Sequence, residues 1–243
     1  MVVDKSLSIV IPCYNESQNL EKLIRNIQYN LKNIDFKVEV ILINNGSTDD
    51  TKNKLFNLVQ LDNEIKIINI EKNVGYGHGI LTGLSKAKNN FLCWTHADLQ
   101  CDFNDCLRGF EMLYKKYLIY DKKVLLKGKR LKRNYLDVIF TKLMSNFIRL
   151  VCRIKLEDIN AQPKIFHRSI YEHFKNPPHD FLLDFYLMKI CKEKKFEILN
   201  LDVFFLDRKY GEAKGGGSLL GKIRLSFRTA YYIIKYNYGN NNS

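Results

Sequence analysis

Apolar positions along the chain alternate between two rhythms. Leu7-Ser-Ile-Val-Ile-Pro-Cys-Tyr14 is a compact β-branched run closed by proline, whereas Leu20, Leu23, Ile24, Ile27 and Leu31 recur at three- and four-residue steps. The first pattern predicts a buried strand, and the second a helix with one apolar stripe, opening at Asn15-Glu16-Ser17. The alternation then repeats. Val38 to Ile43 reads as a second strand, ended by the turn signal Asn44-Asn45-Gly46-Ser47. Thr48-Asp49-Asp50 caps a helix that runs to about Val59, and Ile65 to Ile70 forms a third strand. After Asn73-Val-Gly75-Tyr-Gly77-His-Gly79, a helix over Ile80 to Ala87 leads into a strand beginning at Phe91. Strand and helix in this order predict an α/β fold with a mostly parallel, Rossmann-like sheet and helices on both faces. Ligands of such sheets sit beyond the carboxyl ends of the strands. Those ends are Tyr14–Glu16, Asn44–Ser47, Asn73–Gly79 and His96–Gln100, where the unusual polar and glycine residues gather. If the Phe91 strand stays extended, His96, Asp98 and Gln100 share one face.

The second half changes character. Glu111 to Tyr120 is helical and aromatic-rich, and Lys122 to Arg133 concentrates seven positive charges around a Val-Leu-Leu core that would carry Arg130 to the ligand edge. Ile139, Leu143, Phe147, Val151 and Ile154 share one helical face, with Lys142, Arg149 and Arg153 elsewhere. Gly215-Gly-Gly-Ser218 reads as a hinge, separating a domain over residues 1–214 from a tail over 215–243. The tail helix sets Leu219, Ile223, Phe227, Ala230 and Ile234 against Arg224, Arg228 and Lys235. That pattern suits an anionic bilayer surface, and equally a helix folded back on the domain or on a second copy in a homo-oligomer.

Composition adds a preference for anions. The chain has 243 residues, with 39 Lys and Arg against 26 Asp and Glu, a formal charge of +13. This favours nucleic acid, phosphorylated ligands or an anionic membrane face without choosing among them. The start lacks the layout of a signal peptide, and no apolar run approaches the roughly 20 residues that cross a bilayer. Six scattered cysteines form no metal-ligand pattern, as expected of reduced thiols in a cytoplasmic protein.

Four motifs carry a specific resemblance: Ile-Val-Ile-Pro-Cys-Tyr-Asn-Glu, Asn-Asn-Gly-Ser-Thr-Asp, Asn-Val-Gly-Tyr-Gly and Ala-Asp-Leu-Gln, in that order. In order and spacing they resemble the inverting nucleotide-sugar glycosyltransferases of the GT-A fold, glycosyltransferase family 2. The nearest-looking branch is the dolichol- and polyprenyl-phosphate mannosyl- or glucosyltransferases. The resemblance implies transfer of a sugar from a nucleoside diphosphate to a polyprenyl phosphate or a surface glycan, assisted by Mn²⁺ or Mg²⁺, at the inner face of the cytoplasmic membrane. It assigns Pro12, Tyr14, Glu16 and Asn45 to the nucleotide. Asn45 stands where the family usually carries Asp, and an amide that both donates and accepts opens CDP beside GDP as alternatives, with UDP remaining the default donor. His96 replaces the first carboxylate of the family's metal motif. Asp98 and Gln100 are retained, leaving Asp98 as the principal ligand and His96 as a second that suits Mn²⁺ better than Mg²⁺.

The resemblance further places Arg130 near phosphates and Asp158 on the sugar or acceptor side. Asp184 becomes the base candidate with Asp180 as its competitor, and Arg208 and Lys214 anion contacts over the diphosphate. An acceptor that is itself a phosphate needs no strong base.

Other classes fit less well. A nucleic-acid module would use the basic stretches but leaves the Asp98–Gln100 strand end unexplained, so no nucleic-acid partner is expected. A nicotinamide site is disfavoured because the glycines follow the third strand as G-x-G-x-G and lack the acidic ribose partner. A sugar-nucleotide binding protein without catalysis would explain the changes at Asn45 and His96.

Overall fold

The computed structural model describes residues 4–32, 34–59, 64–120, 123–132, 135–206 and 219–239. Its centre is a seven-stranded sheet in the order β3-β2-β1-β4-β6-β5-β7. The strands are β1 (Ser6–Cys13), β2 (Lys37–Asn45), β3 (Ile65–Ile70), β4 (Phe91–Trp94), β5 (Val124–Leu131), β6 (Lys164–His167) and β7 (Glu197–Phe204). Pairing is parallel throughout except at β6, which runs against both of its neighbours, β4 and β5. The helices are α1 (Leu20–Leu31), α2 (Thr51–Val59), α3 (Tyr76–Lys86), α4 (Asn104–Tyr120), α5 (Tyr135–Cys152), α6 (Arg168–Tyr171), α7 (Leu182–Glu193) and α8 (Leu219–Gly239).

Alternate strand residues face two separate apolar layers, as the twofold repeat of an extended chain requires. Leu7, Ile9 and Ile11 of β1 pack with α1, α2 and α4 through Leu23, Leu55 and Phe110. Val10, Ile41 and Trp94 face the other way, toward Ile80 of α3, Ile148 of α5, Leu187 of α7 and Ile233 of α8. The tail helix is thus folded back onto the body, against α5 and α7.

Four expectations are corrected. The first helix begins at Leu20, because Asn15 takes a positive φ of 55° and residues 17–19 form a turn. The third begins at Tyr76, immediately after Gly75 at φ 144°, so the glycine-rich stretch is its first turn and not a preceding loop. The fourth begins at Asn104, seven residues before Glu111. β4 ends at Trp94, and Leu99 at φ 60° turns the chain, so Gln100 does not continue an alternating face with His96 and Asp98.

Two glycines bring loops to the ligand edge. A Cβ on Gly46, which has φ +68°, would lie 2.2 Å from the backbone nitrogen of Asn73, so only glycine lets the β2 turn seat against the chain after β3. A Cβ on Gly128 would lie 2.0 Å from the carbonyl oxygen of Gln162. Its absence lets the segment before β6 close on β5, where Gly128 N donates to Pro163 O at 2.9 Å.

Candidate active site

The carboxyl ends of β1 and β2 are stitched together by side chains that bond to loop backbone. Asn15 N donates to Ser47 Oγ at 3.1 Å, and Thr48 N returns a bond to Asn15 Oδ1 at 2.8 Å. Glu16 N donates to Thr51 Oγ1, and the Glu16 carboxylate accepts from Asn19 Nδ2 at 2.5 Å. Pro12, Tyr14 and Glu16 all lie half-buried along this rim. Asn45 lies deeper, 2% exposed; its Nδ2 donates to Gly75 O at 3.0 Å, while its Oδ1 is buried without a hydrogen-bond partner.

Beyond Trp94 the chain turns through His96 and Asp98. The Asp98 side chain is 5% exposed, its Oδ1 accepts from the backbone N of Gln100 at 3.1 Å, and its Oδ2 lies 3.9 Å from His96 Nδ1. Gln100 is turned elsewhere: its Nε2 donates to Leu206 O at 3.1 Å, and Leu206 N returns a bond to Gln100 O at 2.9 Å. Asp98 and His96 are therefore brought together, and the Gln100 amide fastens the segment after β7 instead of joining them. No group of three His, Cys, Asp or Glu side chains converges for a metal among the described residues. One carboxylate and one imidazole, side by side at a strand end, fit a cation whose remaining ligands come from phosphate oxygens and water. That mixed donor set suits Mn²⁺ better than Mg²⁺.

Asp184 occupies a different environment from the one expected of a base. It is 2% exposed, and its Oδ1 accepts from Trp94 Nε1 and from Gln162 Nε2, each at 3.0 Å, with Lys164 Nζ at 3.4 Å. A carboxylate held by two donors and a buried cation is an anchor between α7, β4 and β6. It does not suit proton abstraction from an acceptor. Asp180, its competitor, accepts from Leu182 N at 2.9 Å at the start of α7.

Lys164 is fully buried and also donates to Ile159 O at 2.7 Å and Ala161 O at 2.5 Å. Burial pushes its ammonium below the usual lysine range, and Asp184 opposes that shift. The neighbouring Lys127 reaches Gly128 O and Asp158 O. Burial, with Lys164 close by, brings Lys127 down to about 8. Together the two lysines hold the loop of residues 157–162 by its carbonyls.

That loop delivers Asp158, at φ 44°, to Arg130. The Asp158 carboxylate accepts from Arg130 N at 2.9 Å, from Nε at 2.8 Å and from Nη2. Burial raises the Asp158 carboxyl, but the bonds and charge of Arg130 outweigh it and hold it below its ordinary value. Arg130 also lies over the Phe205 ring at 5.2 Å. Arg130 and Asp158 are thus partners of one another, which their 28-residue separation in sequence concealed. Arg208 and Lys214 lie outside the described residues. Trp94 and Tyr76 link these groups; Tyr76 falls inside the Asn-Val-Gly-Tyr-Gly motif without a role of its own being read from it, and Trp94 carried no signal.

The model for "Glycosyl transferase family 2" matches residues 8–174, well over half of the chain and all of the segment just described up to α6. The chain belongs to glycosyl transferase family 2. It is 38% identical over 94 residues to an uncharacterised glycosyltransferase of Synechocystis, covering 39% of this chain and 30% of that protein. Against CsbB of Bacillus subtilis, which carries the name of a glycosyltransferase, identity is 27% over 150 residues, covering 60% and 45%. The matched segment therefore spans less than half the length of these curated relatives. Among solved structures, glucosyl-3-phosphoglycerate synthase of Mycobacterium tuberculosis, in complex with Mn²⁺, UDP and glucosyl-3-phosphoglycerate, superposes with a TM-score of 0.70 at 15% identity. The match covers 96% of this chain and 80% of that one. The mannosyltransferase PcManGT of Pyrobaculum calidifontis, with GDP-Man and Mn²⁺, gives 0.63 at 14% identity, covering 98% and 76%. At those identities the likeness is one of fold, and the fold of this family 2 protein is the α/β GT-A arrangement.

Proposed function

We propose that this family 2 protein transfers a sugar, with inversion, from a nucleoside diphosphate to a polyprenyl phosphate or a surface glycan. The observation that carries the reading is the pairing of Asp98 with His96 at the end of β4, in line with Tyr14, Glu16 and Asn45 at the ends of β1 and β2. Asp98 and His96 would hold Mn²⁺ or Mg²⁺, which when bound neutralises charge on the departing diphosphate. Pro12, Tyr14 and Glu16 would line the nucleoside. Asn45 gives one amide proton to Gly75 O, which leaves a second N–H beside an Oδ1 buried without a partner, so its amide alone does not choose the base. UDP is the default donor, with GDP or CDP as alternatives. Arg208 and Lys214 would close over the diphosphate.

The acceptor reading is supported by what the carboxylates do. Asp184 and Asp158 are both engaged by cations, which leaves the half-buried Asp180, held by Leu182 N, as the remaining base candidate for a hydroxyl acceptor. A phosphate acceptor arrives already ionised and needs no such base, which favours the polyprenyl phosphate. The test is thermal unfolding of the protein with UDP, GDP, CDP, dTDP and NAD, each with and without Mn²⁺. One nucleoside diphosphate with Mn²⁺, UDP first, is expected to raise Tm by about 5–10 °C at a hundredfold excess over Kd. No shift from any of them, or a shift with NAD alone, overturns the donor reading.

Contact with a membrane is supported by α8. Its inner side is buried at Ile233, while Leu220, Ile223, Phe227, Tyr231 and Ile234 form an outward apolar row, with Phe227 74% exposed. On α5, packed beside it, Leu143 and Leu150 are exposed among Lys142, Arg149 and Arg153. Apolar residues interleaved with cations suit the headgroup region of an anionic bilayer. No helix among the described residues is long and apolar enough to cross one. Phe227→Glu is expected to abolish co-sedimentation with vesicles containing phosphatidylglycerol while leaving Tm unchanged. Equal sedimentation of variant and parent would remove α8 as the contact, and a dimer that the variant dissociates would identify a second copy as the occupant.

A further inference from the structure

The first residue of α3 is tied to the end of β4 in two ways. The rings of Tyr76 and His96 stack with centroids 5.3 Å apart and 24° between planes. The Tyr76 hydroxyl lies 3.4 Å from His96 Nε2. The same hydroxyl accepts from Gln162 Nε2 at 3.3 Å, and Gln162 also donates to Asp184 Oδ1, which Trp94 and Lys164 hold from other sides. Tyr76 is therefore fixed by a buried network behind it, and it fixes His96 in front. The remaining ring nitrogen of His96, Nδ1, is the one beside Asp98.

We propose that Tyr76 is a positioning residue that holds His96 with Nδ1 toward a cation shared with Asp98, and that this imidazole biases the site toward Mn²⁺ over Mg²⁺. The proposal rests on the donor-binding reading above. An imidazole that holds a cation through one nitrogen needs a partner for the N–H on the other, and loss of such a partner weakens metal binding. The Tyr76 hydroxyl suits that task because it both donates and accepts. It gives its proton to a bare Nε2, and it accepts from Nε2–H once Nδ1 is bare to hold the ion. Nitrogen ligands favour Mn²⁺ relative to Mg²⁺, which prefers an all-oxygen set.

Tyr76→Phe keeps the ring stack and removes only the hydroxyl. Titration calorimetry of UDP or GDP, whichever binds, would compare the parent, Tyr76→Phe, His96→Asp and the double variant in Mn²⁺ and in Mg²⁺. The parent is expected to prefer Mn²⁺. Tyr76→Phe should weaken Mn²⁺-dependent nucleotide binding by about 10–100-fold and leave metal-free nucleotide affinity unchanged. His96→Asp should shift the preference toward Mg²⁺, and in that background Tyr76→Phe should cost nothing more. Binding by Tyr76→Phe equal to the parent overturns the proposal. So does an equal loss in the His96→Asp background, which would mark the tyrosine as packing alone. If Tyr76→Phe fails to fold, the Mn²⁺-to-Mg²⁺ preference of His96→Asp decides: no shift overturns the assignment of His96. A parent that binds no nucleoside diphosphate in either metal brings down the donor reading itself, an outcome separate from all the others.

Discussion

Asp98→Ala is expected to abolish sugar transfer, by at least about 10²–10³-fold, while leaving the unfolding temperature within a few degrees of the parent. The carboxylate stands at the end of β4 with one oxygen on the backbone N of Gln100 and the other toward His96. Removing it takes away the turn-stabilising hydrogen bond to Gln100 N, which costs about 1 kcal/mol. The proposed chemical loss is larger. Asp98 would be the single carboxylate holding the cation, and stabilisation of the departing diphosphate depends on that charge being in place. Asp98→Asn keeps an acceptor for Gln100 and so isolates the charge. It should retain the parent's stability and still lose Mn²⁺-dependent nucleotide binding. Radiolabelled sugar transfer measured beside thermal unfolding checks both halves, and full activity in Asp98→Ala would sink the assignment.

Asp184→Ala should do the opposite, damaging the fold before the chemistry. The substitution leaves the Lys164 ammonium buried without its counter-ion, and it orphans donors on Trp94 and Gln162. Breaking a buried pair from one side costs about 3–5 kcal/mol, a large fraction of the stability of an ordinary domain. A urea denaturation midpoint that falls steeply, together with loss of soluble protein, is the expected result. A variant of unchanged stability and abolished turnover would instead restore Asp184 as a base. Replacing Asp184 and Lys164 together, by Leu and Met, removes both charges and should recover part of the stability that the single change loses.

The donor half of the sheet was legible because its signals are local. β1 to β3 are short apolar runs closed by proline, asparagine or glycine, and the turn at Asn44–Ser47 ends where Gly46 must have positive φ. Reading stopped being reliable where a pattern was carried past its element. The twofold alternation from Phe91 continued on paper to Gln100, but Leu99 turns the backbone and sends the Gln100 amide to Leu206. Gly75-Tyr-Gly-His-Gly read as loop because three glycines weaken any helix, yet Gly77 and Gly79 are buried where the helix approaches the 178–180 backbone and Asn45. The roles of Arg130, Asp158, Asp184 and Lys164 were out of reach for a different reason. Each is set by partners from another strand or helix, and sequence spacing says nothing of which buried charges meet.

The reversal of one strand has a consequence for how such a protein can diversify. Because β6 enters from the ligand edge, its beginning and not its end meets the site, and the loop of residues 157–162 hangs there from two buried lysines. The loops after β1, β2 and β4, which on the proposed reading face the nucleotide, belong to one uninterrupted stretch of chain, and this loop belongs to another. Insertions or exchanges at residues 157–162 could therefore remodel the face offered to the acceptor while the donor cradle keeps its geometry. The two substrates would be recognised by segments that inheritance can shuffle independently.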